Sequence, residues 1–110
     1  MENQDVFSVS LDAGAIIVEF NETASIISGY RRDEVIGKNW FELFIPESDT
    51  VEVLDVFTDL FHGENSHWEY TNDITCKDGS LKKIRWINNI IRDEDLNPKL
   101  IYSLGVEVTN

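Results

Sequence analysis

The run Ser28-Gly29-Tyr30-Arg31-Arg32-Asp33-Glu34-Val35-Ile36-Gly37-Lys38, with Asn39-Trp40-Phe41-Glu42-Leu43-Phe44 behind it, most constrains the fold. Glycines interrupt it before any helix can lengthen, so it reads as short helices in series. Asp33 and Glu34 put acid in the first turn of a one-turn helix that Gly37 closes. Asn39 to Phe44 makes another helical turn, stopped by Pro46.

The flanks have different periods. Phe7-Ser8-Val9-Ser10-Leu11 alternates apolar and polar, as a strand with one buried face does. Asp12-Ala13-Gly14 is a turn and Ala15 to Phe20 a second strand, together a hairpin. Asn21 can cap a helix running through Ile27, which Gly29 ends. Further on, Asp49 and Glu52 have the spacing of a capping box. Val53, Val56, Phe57, Leu60 and Phe61 then recur at helical spacing until Gly63, which defines one longer helix.

The remainder alternates again. Trp68, Tyr70, Asn72, Ile74 and Cys76 share one face of a strand that ends at the Lys77-Asp78-Gly79-Ser80 turn. Ile84, Trp86, Asn88 and Ile90 share one face of the next strand, and Lys83, Arg85, Ile87, Asn89 and Ile91 the other. Asp93 to Pro98 is a turn, and Leu100 to Thr109 the last strand. The order ββ-αααα-βββ predicts an α+β fold: one five-stranded antiparallel sheet with helices on one face.

Composition excludes several functions. A chain of 110 residues suits one domain with its own core. Cys76 is the single cysteine, so it can form neither an internal disulfide nor a zinc site alone, which fits a reducing cytoplasm. The net charge of −12 opposes phosphate backbones and anionic lipid surfaces, so neither nucleic acid nor membrane contact is expected. No apolar run approaches the ~18 residues of a membrane span, and the N-terminus lacks a leader pattern. Asn21-Glu22-Thr23 matches a glycosylation acceptor, but helix capping explains Asn21 better. Asp93-Glu94-Asp95 lacks the spacing of an EF-hand and reads as a hydrated turn. No nucleophile–base pair and no phosphate-cradling loop is apparent, so no enzymatic activity is expected.

The glycine-punctuated run resembles the signature S-G-Y-x-x-x-E-x-x-G-[KR] of the PAS, or sensory box, family. The resemblance extends along nearly the whole chain, Phe7 to Thr109. Asp12-x-Gly14-x-Ile16 is similar to the family's first hairpin, and Phe20-Asn21-x-x-Ala24 to its first helix. Lys77-Asp78-Gly79-Ser80 resembles the K-D-G-S turn, and Gly105-Val106-Glu107-Val108-Thr109 the terminal G-x-D-I-T, with Glu107 and Val108 as departures. It implies a sheet wrapped by helices around a small pocket. It also implies that residues 1–110 are a single module of a longer signalling protein, such as a bacterial histidine kinase or diguanylate cyclase.

Strand parity then nominates a pocket lining of Tyr70, Asn72, Ile74, Ile84, Trp86, Asn88, Ser103 and Gly105, with Trp40 and Phe44 from the helical side. Asn72 and Asn88 sit mid-strand among apolar residues, where a buried amide needs partners. Those partners are a ligand, each other or the helix backbone, unless the amides face water; for the aromatic residues, plain core packing is the alternative. Glu107 and Thr109 mark the signal exit. Arg85 and Lys83 are the expected partners of Glu107, unless it is a free strand-end charge.

The resemblance bears on cofactors and partners as well. The flavin-binding branch places its adduct-forming cysteine after G-[KR]-N, where this chain has Trp40, and a glutamine where this chain has Gly105; both argue against that photochemistry. Haem-binding relatives carry a histidine near the long helix. His62 and His67 are the candidates, but a helix-end position and a strand-start position explain them without haem. No metal site is expected and the ligand is unknown. The implied function is a sensor domain that forms homodimers, through N-terminal residues or an outer sheet face bearing Ile87 and Ile91, and relays its state to an output domain in the same chain. The alternative is a ligand-free dimerisation domain whose core is filled by Trp40 and Trp86. A cone-shaped isomerase using Asp73 would need helices before strands, against the order here.

Overall fold

The computed structural model describes residues 6–63 and 67–109. Strands β1 (Phe7–Asp12) and β2 (Ile17–Phe20) form the leading hairpin. Helices α1 (Glu22–Ser28), α2 (Arg32–Val35), α3 (Trp40–Phe44) and α4 (Thr50–Phe61) follow, with a 3-10 turn over Glu47–Asp49. Strands β3 (Glu69–Thr75), β4 (Leu81–Arg92) and β5 (Pro98–Glu107) complete the chain. All neighbours in the sheet are antiparallel and the order is β2-β1-β5-β4-β3, so the first hairpin joins the last three strands through the β1–β5 pair.

The short helices are fixed by side-chain caps. Asn21 Oδ1 accepts from the Ala24 amide at 2.9 Å and the Ser8 amide at 3.0 Å, while its Nδ2 donates to the Val6 carbonyl at 2.8 Å. One amide thus starts α1 and ties it to β1. Gly29, at φ 85°, ends the helix and donates to the Ser25 carbonyl. Asn39 Oδ1 caps α3 by accepting from Phe41 and Glu42. Glu34 reaches back to the Arg31 amide at 2.8 Å and holds α2.

Four local expectations are corrected. The second strand begins at Ile17, not Ala15, because Ala15 turns into the left-handed region (φ 63°) around an Asp12 side chain that accepts from Gly14 and Ile16. The last strand begins earlier and ends at Glu107; its pairing with β4 stops there, and the Val108 amide donates to the Lys83 carbonyl beyond the strand. Trp68 precedes β3 and is exposed, rather than sharing the inner face. Asp49 makes no side-chain cap on α4, and Glu52 instead accepts from the Tyr70 hydroxyl at 2.5 Å.

The core lies between the inner sheet face and the helices. Phe7 stands at its centre and meets Phe20, Trp40 and Trp86 edge-on, with ring centroids 5.6, 6.2 and 5.1 Å away. A smaller cluster, Val56 and Leu60 against Ile101, fastens α4 to β5.

Candidate ligand cavity

Between α3, α4 and the inner face of the sheet the packing leaves a cavity of about 60 Å³. Six of the residues nominated by parity lie on its wall: Trp40, Tyr70, Asn72, Trp86, Asn88 and Ser103. The other four do not. Phe44, Ile74 and Ile84 are completely buried in the packed core beside it. Gly105 lies under the Trp86 ring: a Cβ there would stand 2.6 Å from Ile84 Cγ2 and from the indole Cζ3. Gly105 and Trp86 are directly opposed in the β4–β5 register, so the glycine gives the indole room to lie flat across the sheet.

The helical wall came mostly unforeseen. Phe41 from α3, with Val53, Val56, Phe57 and Leu60 from α4, faces Val9, Leu11 and Ile101 from the sheet. The α4 periodicity identified an apolar face, and only docking on β5 reveals that part of this face borders a void.

The polar lining residues are engaged by the protein. Asn72 Oδ1 accepts from the Trp86 indole nitrogen at 2.7 Å, and its Nδ2 donates to the Asp73 carbonyl at 3.0 Å. Asn88 Oδ1 accepts from the Ser103 hydroxyl at 2.7 Å, and its Nδ2 donates to the His67 carbonyl at 3.0 Å. Neighbouring side chains and backbone are thus the partners, and the two asparagines do not bond each other. Burial and the Glu52 hydrogen bond push the Tyr70 hydroxyl up to about 12.

The expected partners of Glu107 are occupied elsewhere. Arg85 pairs with Glu69, and Lys83 lies 3.6 Å from Asp73, both across the β3–β4 ladder on the outer face. Register decides this, since Asp73 stands directly opposite Lys83, whereas Glu107 stands opposite Ile84. Glu107 and the exposed Thr109 sit where the chain leaves the sheet.

None of His62, His67 and Cys76 is among the residues that line the cavity. His62 is the exposed C-cap of α4, and His67 Nε2 faces Asp59 Oδ2 at 3.3 Å. Cys76 is buried away from the cavity, with its thiol toward the Ile27 carbonyl. Among the described residues no His, Cys, Asp and Glu group could hold a metal ion.

A five-stranded antiparallel sheet closed on one face by short helices defines an α+β domain. The chain belongs to the PAS family, whose model for the PAS fold matches residues 1–102. Among solved structures it is similar to the PAS domain of the Cronobacter turicensis RpfR quorum-sensing receptor in complex with BDSF, with a TM-score of 0.78, 21% identity and 98% of each chain covered. It is also similar to a PAS domain from Colwellia psychrerythraea, at TM-score 0.80 and 19% identity over 96% of this chain and 88% of that one. A light-oxygen-voltage domain gives TM-score 0.74 and 26% identity, covering 94% of this chain and 78% of the other. No curated protein matches the sequence.

Proposed function

We propose that this domain is a non-enzymatic sensor that takes a small molecule into the cavity and relays its occupancy through β5 to an output domain in the same chain. A histidine kinase or diguanylate cyclase is the output that the family signature suggests. The carrying observation is Trp86, whose ring lines the cavity on one side and rests on Gly105 of the exit strand. A ligand that moves the indole changes the surface against which β5 packs, just before Glu107 and Thr109. Such coupling is worth a few kcal/mol at most. The fold likeness to RpfR domains described in complex with BDSF and with C12:0 supports a ligand-binding role. A cytoplasmic location accords with the unpaired, buried Cys76; no helix among the described residues is long and apolar enough to cross a membrane.

A second reading has its own observation. The cavity is small because Trp40 and Trp86, 5.7 Å apart edge-to-face, take up the interior, as in a ligand-free dimerisation domain. Native mass spectrometry and a visible absorbance spectrum of the purified domain separate the two. A retained small molecule supports the sensor; a bare polypeptide that still forms dimers supports the filled core.

A further inference from the structure

If the cavity is the ligand site proposed above, we propose further that it selects an uncharged, apolar ligand and turns carboxylates away. Its wall is mostly hydrocarbon: Val9, Leu11, Val53, Phe57, Leu60 and Ile101 face the void from sheet and helix. The amides that could receive a polar head group are already engaged. Asn72 holds the Trp86 indole and the Asp73 carbonyl, and Asn88 holds Ser103 and the His67 carbonyl. A head group could use only the second N–H or lone pair of each amide, and such neutral hydrogen bonds do not offset the cost of burying a carboxylate's charge.

Charge acts in the same direction. Among the described residues no lysine or arginine lines the cavity. Lys83 and Arg85 of β4 are on the outer face and paired with Asp73 and Glu69. Where Tyr70 reaches the surface, its hydroxyl meets the Glu52 carboxylate, and Asp49 is near enough to add to the negative field. Asp59 pairs there with His67, whose ring meets Tyr70 edge-on at 6.0 Å. A carboxylate at this rim meets acids without an available cation among the described residues, whereas an alkyl group packs on the apolar wall and a neutral alcohol can donate to those acids.

The test compares two probes of matched length on the full chain, 1-butanol and sodium butanoate, by two-dimensional amide NMR at neutral pH. Trp40 and Trp86 line the cavity and Trp68 is exposed, so the three indole N–H signals are built-in reporters. The expected result is that butanol shifts the Trp40 and Trp86 signals and leaves Trp68 in place, whereas butanoate needs at least about tenfold higher concentration for the same shift. Butanoate acting as well as butanol overturns the selectivity and leaves the ligand site standing. If neither probe moves Trp40 or Trp86, or all three signals move alike, the cavity takes no such ligand and both proposals fall.

Discussion

At the scale of single residues, the pairing of Trp86 with Gly105 carries the most consequence. A methyl group at position 105 meets two side chains at 2.6 Å, and both are held in the core, so neither can swing into solvent. Gly105→Ala should cost about 1–3 kcal/mol, as overpacking does, read as a lower urea midpoint at constant m-value. An unchanged midpoint would mean that the indole can slide away, and with it the proposed route from cavity to exit strand. Tyr70 offers a second test. Its hydroxyl, raised from 10.0 to about 12 by burial first and Glu52 second, stays protonated longer in the folded state than in the unfolded one. The stabilisation is therefore complete below pH ~10 and lost as pH climbs from the unfolded value toward the folded one. Glu52→Gln should lower the tyrosinate midpoint without restoring it fully, because burial remains; a midpoint that does not move would remove Glu52 from the account.

At the scale of elements, short helices depend on their ends. Asn21 serves α1, Ser8 and Val6 at once, so Asn21→Ala should destabilise by roughly 1–2 kcal/mol, more than Asn21→Asp, which keeps the accepting oxygen and loses only the donor to Val6. The reverse order in a denaturant series would show that the Val6 contact outweighs the cap. On α2, Glu34 accepts from Lys77 Nζ at 2.6 Å, and that bond, then the Arg31 amide, hold its carboxyl below the usual range. A depressed carboxyl contributes above its unfolded pKa and loses that contribution as pH falls through the folded value. Lys77→Met should therefore shrink the acid-side loss of stability, measured by thermal melts across the carboxylate range; an unaltered acid limb would sink the linkage. These same elements mark how much was legible in the chain. Alternation gave the inner faces of β3, β4 and β5, and the Asn21 cap and Gly29 gave the ends of α1, since those signals are local. Depth is not local. Ile74 and Ile84 share a face with Asn72 and Trp86, yet the first two are sealed in the core and the last two border the void. Likewise the Asp49–Glu52 spacing fits a capping box, but Tyr70 of β3 outcompetes the backbone for the Glu52 carboxylate.

At the scale of the whole molecule, the sheet has one face clothed by helices and one that is bare among the described residues. On the bare face the register sets Ile87 opposite Leu104 and Ile91 opposite Leu100, with Tyr102 and Val106 completing an apolar stripe along β4 and β5. Ile91 is 41% exposed and Val106 56%, so the stripe is open to a partner. The exit strand β5 lies within it, which would let a dimer contact and the relay from the cavity share one element. Opposing this, each protomer carries a net charge of −12, so two of them repel before their apolar stripes can meet. Salt screens that repulsion over about 10 Å at 0.1 M while sparing, or slightly strengthening, the burial of apolar surface. Self-association through this face should therefore tighten as salt is raised, the opposite of an interface held by ion pairs. Sedimentation equilibrium at low and high salt reads the difference, and Ile87→Lys should abolish the association at both without lowering the melting temperature by more than a few degrees. A protein that stays monomeric at high concentration in high salt would leave the bare face without a role in dimerisation. Association that weakens with salt would move the contact from this stripe to charged residues elsewhere.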